Sequence, residues 1–123
     1  MNPRARRWWL AAVPVLALPV FIRVGAPAGA GAPPRRHVVE IRAMTFHPAV
    51  LEVARGDTVE WINRDIVPHT ATAGGVGGWD TGTLAAGQGG LVVAGRAGEV
   101  TYVCVLHPVM RGRMIVRPAT GAP

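Results

Sequence analysis

Apolar and polar residues alternate in short segments through most of the chain. Seven segments combine this alternation with β-branched residues: "HVVEIRAM", "AVLEVARG", "DTVEWINR", "HTATAG", "GGLVVAG", "EVTYVC" and "RMIVRP". Glycine, proline, asparagine or aspartate stands at nearly every junction between them, and no window shows a sustained apolar pattern at helical spacing. The pattern predicts an all-β sandwich with seven or eight strands.

The stretch from 74 to 90 is the least strand-like part of this region. It reads "GGVGGWDTGTLAAGQGG", and few apolar residues are present to anchor it. We predict that it is mostly loop, with one short edge strand. Trp79 within it is either an exposed contact or a local anchor, and the sequence leaves both open. Met44, Met114 and Trp61 lie in strand patterns, so we predict that they belong to the core.

The N-terminus has the pattern of a secretory signal. Arg4, Arg6 and Arg7 precede the apolar run 8–22, and small residues follow at 26, 28 and 30. A basic segment, an apolar segment and an A-x-A-like site are features of a cleaved signal peptide. The apolar run is shorter than the roughly 20 residues of a spanning helix and contains two prolines, which argues against a retained membrane anchor.

We therefore predict a secretory signal peptide at 1–30 with cleavage near 28–32, a disordered leader at 31–36, one domain at 37–118 and a disordered tail at 119–123. The predicted location is periplasmic or otherwise extracytoplasmic, with membrane contact only through an uncleaved signal segment. Lipid attachment at the cleavage site would need a cysteine there, and the single cysteine of the chain is Cys104.

The formal charge of +6 does not indicate a nucleic-acid partner. Four of the thirteen basic residues lie at or before Arg23, whereas all seven acidic residues follow it. The exported domain keeps a net charge of only about +2, with no basic run beyond Arg35 and Arg36. We expect no binding to nucleic acid.

The segment "YVCVLHPVMRG" brings together three side chains that bind metals. A single cysteine cannot form an internal disulfide, which is the usual state of cysteine in exported proteins. Cys104, His107 and Met110 recur at every third residue, so one tight loop can direct a thiolate, an imidazole and a thioether toward one point. A trigonal copper site of the electron-transfer kind needs one more imidazole.

His69 is the best candidate for that second imidazole. It follows Pro68 at the start of a strand-like segment, where a sandwich would place a residue at its loop-bearing end. His37 lies at the start of the domain, and His47 precedes a proline in a strand-like stretch. We interpret His37 and His47 as surface or ordinary structural histidines.

Other interpretations of Cys104 fit these neighbours less well. Taken alone, Cys104 would be a small buried apolar residue. Zinc rarely binds a thioether, and structural zinc sites prefer several thiolates. A nucleophilic cysteine–histidine pair would need a third group that orients the histidine, and none is evident. The softness of the donor set favours copper.

The segments "DTVEWINRDIVPHTATA" and "GEVTYVCVLHPVMRGRMIV" resemble the small blue copper proteins, the cupredoxins, and specifically the plastocyanin/amicyanin group. The resemblance covers roughly residues 37 to 118. The two-residue gap before Met110 is similar to the short loop of amicyanin-type proteins. The resemblance implies a Greek-key β-sandwich, in agreement with the strand pattern, and one type 1 copper ion as cofactor.

The resemblance also implies roles for single residues. His69 and His107 would bind copper through ring nitrogens, Cys104 through its thiolate, and Met110 weakly along the axis. His107 would lie at the exposed tip of its loop and serve as the electron port.

Residues next to these positions complete the expected site. Thr70 stands where many relatives have an asparagine that ties the two ligand loops together. Leu106 stands where amicyanin-like loops often have proline, and we hypothesise that its N–H bonds the cysteine sulfur and raises the reduction potential. Pro108 stiffens the ligand loop, and an apolar docking rim would include Pro68 and Val109.

The implied function is that of an exported carrier which moves single electrons between redox proteins, such as a dehydrogenase, a cytochrome or an oxidase. Partners would dock transiently at the copper end. We expect a monomer. We also expect no enzymatic activity, because protein side chains fill all four ligand positions.

The alternative is a periplasmic copper carrier or sequestration protein. Carriers more often expose flexible Met/His-rich segments, and a copper enzyme would need a second metal site or an open ligand position.

Overall fold

The computed structural model describes residues 31–119. The predicted signal peptide at 1–30 and residues 120–123 of the predicted tail lie outside this range. Within it, no helix is long and apolar enough to cross a membrane.

Nine strands form in the described residues, and each of the seven segments that the sequence predicted coincides with all or part of one strand. Their bounds are β1 Arg36–Arg42, β2 Thr45–His47, β3 Val50–Ala54, β4 Thr58–Asn63, β5 Thr72–Ala73, β6 Trp79–Asp80, β7 Gly89–Val93, β8 Gly98–Val103 and β9 Arg111–Arg117. The number of strands exceeds the predicted seven or eight because two very short strands, β2 and β6, form outside those seven segments. β6 is the single edge strand expected in the glycine-rich stretch.

The strands form two sheets that pack as a sandwich. One sheet has the order β2-β1-β4-β7 and the other the order β3-β9-β8-β5-β6. β1 pairs in parallel with β4, and β3 pairs in parallel with β9, whereas the other neighbours are antiparallel. The all-β sandwich is therefore confirmed.

Period-two alternation explains why the two sheets face each other. β4 alternates between buried and partly exposed residues along its whole length, and β9 alternates in the same way between buried residues and residues that are exposed or partly exposed. Successive side chains of a strand point to opposite faces of its sheet, so one face of each sheet becomes apolar and is buried against the other. The core comprises Val39, Ile41, Phe46, Val53, Val59, Trp61, Ala71, Ala73, Leu84, Ala94, Tyr102, Cys104, Met110, Met114 and Val116.

Aromatic side chains form the centre of this core. Trp61 and Tyr102 are fully buried with ring centroids 5.4 Å apart, and Phe46 packs edge-on against Tyr102 at 4.8 Å. Trp79 lies 4.8 Å from Trp61, so it is a local anchor of the glycine-rich stretch. Burial raises the pKa of the Tyr102 phenol above its ordinary value of 10.0.

Of the two methionines assigned to the core, one is buried and one is not. Met114 on β9 is 2% exposed, as predicted. The prediction for Met44 was wrong: it lies in the turn between β1 and β2, is 40% exposed and has a φ of 58°. In the sequence, the alternation of apolar and polar residues that marks β1 continues through Met44. The chain nevertheless reverses direction at Ala43 and Met44, and this places the Met44 side chain in a turn.

A buried carboxylate organises the end of the sandwich where the described chain begins. Asp57 accepts the N–H of Arg35 at 2.9 Å and that of Ala54 at 3.0 Å, and it lies 2.7 Å from Nε2 of His37. The Arg35 N–H lowers the pKa of Asp57 below 3.8, and His37 and Ala54 act in the same direction against burial, which raises it. These contacts fix the start of β1 at Arg36, one residue before the predicted domain boundary.

Candidate metal centre

Two loops meet at one end of the sandwich and bring three predicted ligands together. Cys104 follows β8, and His69 lies between β4 and β5. Nδ1 of His69 lies 3.8 Å from Sγ of Cys104, and Nδ1 of His107 lies 3.7 Å from the same sulfur. One donor atom from each of the three residues lies within 4.8 Å of the others. His69 and Cys104 are fully buried, whereas His107 is partly exposed.

The loop from Cys104 to Met110 is held by its own backbone hydrogen bonds. The N–H of His107 donates to the carbonyl of Cys104 at 3.2 Å, and that of Met110 donates to the carbonyl of His107 at 2.9 Å. The N–H of Cys104 donates to the carbonyl of Met110 at 3.2 Å and closes the loop. Met110 is 2% exposed. The spacing of three residues between Cys104, His107 and Met110 thus corresponds to two successive turns of the backbone, which keep all three residues at the same end of the molecule.

The backbone of His69 is fixed by a short bridge to the glycine-rich stretch. His69 and Leu84 exchange two backbone hydrogen bonds, of 3.1 and 2.8 Å. His69 therefore pairs with Leu84 in a single antiparallel β-bridge outside the named strands. The strand β5 begins three residues later, at Thr72. Of the four histidines, the two that the structure places beside Cys104 are the two that the sequence selected. His47 instead bonds Thr45, and His37 bonds Asp57.

The imidazole of His69 is oriented by an acidic residue that the sequence analysis missed. Nε2 of His69 lies 2.9 Å from Oδ2 of Asp65. A carboxylate only accepts, so His69 carries its proton on Nε2 and leaves Nδ1 free toward Cys104. Asp65 also accepts the N–H groups of Ala43 and Met44 at 2.7 and 3.0 Å. The only sequence signal for this role of Asp65 was its position four residues before His69, a candidate ligand.

The electrostatics of Asp65 follow from these partners. Burial raises the pKa of Asp65, but the N–H groups of Met44 and Ala43 and the ring of His69 together lower it below its ordinary value of 3.8.

Asn63, which is fully buried, supports the same loop: its Nδ2 donates to the carbonyls of Val67 and Leu84, and its Oδ1 accepts the N–H of Asp65.

Thr70 joins the two ligand loops. Its N–H donates to Sγ of Cys104 at 3.3 Å, and its hydroxyl oxygen accepts the N–H of Val105 at 3.0 Å. The hydroxyl thus ties the loop of His69 to the loop of Cys104. Within the described residues no hydrogen bond joins the Leu106 N–H to the sulfur, and the predicted effect of Leu106 on the reduction potential stays a prediction.

The donor set fits a type 1 copper ion. Two imidazole nitrogens and one cysteine sulfur converge from rigid loops, and a buried methionine ends the second loop. Soft sulfur donors combined with imidazoles suit copper in both its oxidation states, and a site of this composition is typical of electron-transfer copper. The carboxylate behind His69 is the kind of support that metal-binding histidines commonly have.

Comparison with known proteins identifies the family. No family model matches the chain. An amicyanin of Paracoccus versutus is 32% identical over 93 residues, which span 72% of this chain and 70% of that protein. The chain belongs to the amicyanin family. An amicyanin of Paracoccus denitrificans is 36% identical over 83 residues, covering 64% of this chain and 63% of that protein.

Solved amicyanin structures also share the fold. The Cu(I) form of one amicyanin mutant superposes with a TM-score of 0.64 and 33% identity, over 73% of this chain and 90% of that one. A second mutant, also in the Cu(I) state, gives a TM-score of 0.63 and 32% identity, over 67% and 82% of the two chains. The predicted resemblance to cupredoxins of the amicyanin type is confirmed.

Several exposed apolar side chains belong to the same two loops as His69 and His107. Val109 is 88% exposed, and Val105 and Leu106 are about half exposed. Pro68 and Pro108 are exposed as well. Ile66, which is 93% exposed, was not singled out from the sequence, because its position in a loop between a strand and a ligand gave no periodic signal.

Proposed function

We propose that this protein is an exported one-electron carrier in which His69, Cys104, His107 and Met110 bind a single copper ion. The observation that supports this best is the convergence of Nδ1 of His69, Sγ of Cys104 and Nδ1 of His107 within 4.8 Å. Family membership supports the same assignment. Bound copper supplies a one-electron couple between its Cu(I) and Cu(II) states.

The protein side chains would set the conditions for that couple. The ligand loop is closed by three internal backbone hydrogen bonds, and the Thr70 hydroxyl ties it to the His69 loop. A site with so little freedom changes its geometry little between oxidation states, which favours fast electron transfer. The Thr70 N–H near the sulfur of Cys104 stabilises negative charge on the thiolate.

His107 would be the electron port. His69 and Cys104 are fully buried, and the other end of His69 is covered by Asp65, so the partly exposed ring of His107 is the ligand nearest to solvent. The rim of Pro68, Pro108 and Val109 offers a small apolar surface around it. Redox partners such as a dehydrogenase, a cytochrome or an oxidase would dock there in short-lived complexes of small area.

The first experiment is a visible and electron paramagnetic resonance spectrum of residues 31–123 after addition of Cu(II) and oxidation. We expect an intense blue charge-transfer band and a narrow copper hyperfine splitting, because both arise from a copper–thiolate bond. The control is Cys104→Ser, which keeps the size of the side chain and removes the sulfur, and which should lose both signals.

A colourless protein that still binds copper would contradict the electron-carrier proposal. Equal copper affinity in the Cys104→Ser variant would do the same, and it would favour the alternative of a copper carrier or sequestration protein. A blue spectrum with reversible one-electron voltammetry would support the proposal and exclude a purely sequestering site.

Export and assembly form a separate part of the proposal. We propose cleavage near residues 28–32, release of the domain into the periplasm and function as a monomer. The mass of the mature protein recovered from the periplasmic fraction would locate the cleavage site. Light scattering of the purified domain would give the mass of one chain, and a concentration-independent dimer would contradict the monomer.

A further inference from the structure

The glycine-rich stretch forms a hairpin that places one carboxylate beside β5, the strand that follows the His69 loop. β5 and β6 pair with Thr72 directly opposite Asp80, and the turn between them contains Gly75 and Gly77 at φ values of 87° and 75°. A Cβ on Gly78 would collide with the carbonyl of Ala73. The glycines therefore permit a tight return of the chain that brings Asp80 beside Thr72.

Three side chains then connect this hairpin to the ligand loop. The Thr72 hydroxyl lies 3.1 Å from Oδ1 of Asp80, and the Thr70 hydroxyl lies 3.0 Å from that of Thr72. The Thr70 hydroxyl oxygen accepts the N–H of Val105 at 3.0 Å. Asp80 is exposed, but Oδ1 also accepts the N–H of Gly82 at 2.8 Å, so the strand register and this bond hold the carboxylate in place.

The chemistry of the groups gives this chain of bonds one direction. An ionised carboxylate only accepts, and each hydroxyl has a single proton to donate. Thr72 must therefore donate to Asp80, which leaves its oxygen as the acceptor for the Thr70 proton. The Thr70 hydroxyl, having donated its proton to Thr72, faces Val105 with a lone pair.

We propose that Thr72 and Asp80 are positioning residues for the metal centre. By fixing the orientation of the Thr70 hydroxyl, they hold the residue after His69 against the residue after Cys104. Neither contacts a ligand: both act through Thr70, whose N–H bonds the sulfur of Cys104 and whose hydroxyl holds Val105. Hydrogen bonds arranged in one direction strengthen one another, so loss of the distal acceptor loosens the tie at the other end.

The expected effect of Thr72 and Asp80 on bound copper rests on the proposed function, but the chain of hydrogen bonds from Asp80 to Val105 does not. The first test therefore uses the metal-free domain and measures amide hydrogen exchange by NMR. Thr72→Val keeps the β-branched shape and removes the hydroxyl, and we expect the Val105 amide to exchange at least about tenfold faster. Thr72→Ser keeps the hydroxyl and should exchange at the wild-type rate. Asp80→Ala should behave like Thr72→Val.

The amide of Met114, which lies in β9 away from this chain of bonds, is the internal reference. Faster exchange at both Val105 and Met114 would mean general destabilisation and would overturn the proposal, as would unchanged exchange of Val105 in Thr72→Val. Equal exchange rates in the Val and Ser variants would also overturn it, because the hydroxyl would then have no part in the effect.

The second test uses the copper-loaded domain. We expect a shifted reduction potential and an altered copper hyperfine splitting in Thr72→Val, with both restored in Thr72→Ser. A purely structural role for Thr72 would lower the unfolding temperature without moving either value. If the wild-type domain forms no blue site, the proposed function fails, while the exchange result still decides the hydrogen-bond chain.

Discussion

The carboxylate of Asp65 lies 2.9 Å from Nε2 of His69, on the side of the ring opposite Cys104. The same carboxylate accepts the N–H groups of Ala43 and Met44 in the turn between β1 and β2. Both residues of that turn have positive φ values, of 51° and 58°, which directs their N–H groups toward one point. A turn distant in sequence thus determines which nitrogen of His69 is available to a metal.

Replacement of Asp65 by alanine should weaken copper binding. Without its acceptor, His69 can change tautomer and rotate, and loss of such a supporting group typically costs about 10–100-fold in metal affinity. Competition with a chromophoric copper chelator would measure the change. Glu99→Ala, which removes an exposed acid paired with Arg113, is the control and should leave the affinity unchanged. Equal affinities of Asp65→Ala and wild type would contradict the orienting role.

Gly112 should be intolerant of any side chain. A Cβ at this position would overlap the ring and hydroxyl of Tyr102, which is fully buried between Phe46 and Trp61. We expect Gly112→Ala to lower the free energy of unfolding of the metal-free domain by about 1–3 kcal/mol, the usual range for an overpacked core. Denaturant titration would measure it.

The matched control for this prediction is Gly95→Ala. A Cβ on Gly95 meets no atom within 4 Å, and the residue has no positive φ. Its replacement should leave stability nearly unchanged. A comparable loss in both variants would show that the close approach to Tyr102 is not the cause.

Asp57 should make stability depend on acid pH. Its pKa is lowered in the folded state, chiefly by the N–H of Arg35, so its contribution is complete above the unfolded value near 3.8 and is lost as the pH falls through the folded value. Asp57→Asn should cost about 1–3 kcal/mol near neutral pH, since it weakens buried hydrogen bonds to a charged group. The difference from wild type should shrink below about pH 4.

Urea titrations at several pH values would measure this difference. Glu52→Gln is the control, because Glu52 forms an exposed ion pair with Arg117 and should contribute less than about 1 kcal/mol. A difference between Asp57→Asn and wild type that stays constant from pH ~6 to pH ~2 would contradict the role of the Asp57 charge.

A charge on the apolar rim should slow electron transfer without changing the metal centre. If partners dock as proposed, two copies that exchange an electron bring their rims together, so Val109→Asp would place like charges opposite each other. We expect the electron self-exchange rate, measured by NMR on a mixture of oxidised and reduced protein, to fall by at least about tenfold. The visible spectrum and the reduction potential should not change.

Val76→Asp is the matched control for the rim. Val76 is 89% exposed, as Val109 is 88% exposed, but it lines a cleft together with Gly98, which is at the opposite end of β8 from Cys104. Its replacement should leave self-exchange unchanged. Equal slowing by both substitutions would indicate an effect of net charge and would contradict docking through the rim.

Much of the fold and of the metal centre could be predicted from the sequence because the relevant signals are local. Alternation along "DTVEWINR" marks β4, and the spacing of Cys104, His107 and Met110 corresponds to two turns of a single loop. His69 required one further inference, namely that the start of a strand-like segment after a proline lies at the loop-bearing end of a sandwich.

The features that the sequence did not predict depend on contacts between distant segments. Asp65 supports His69 only because the turn at Ala43 and Met44 packs beside it. The bonds from Asp80 to Thr70 exist only because glycines reverse the chain between β5 and β6. Met44 was assigned to the core because alternation does not show where a strand ends.

The described chain begins and ends on the side of the sandwich far from Cys104. Residues 31–35 and Ala119 line one cleft together with Asp57 and Arg117. β1 and β9 start and finish there, while β8 runs away from that side toward the ligand loop. A label or surface attachment near residue 31 or Ala119 would therefore lie on the opposite side of the sandwich from Cys104 and its neighbouring ligand residues.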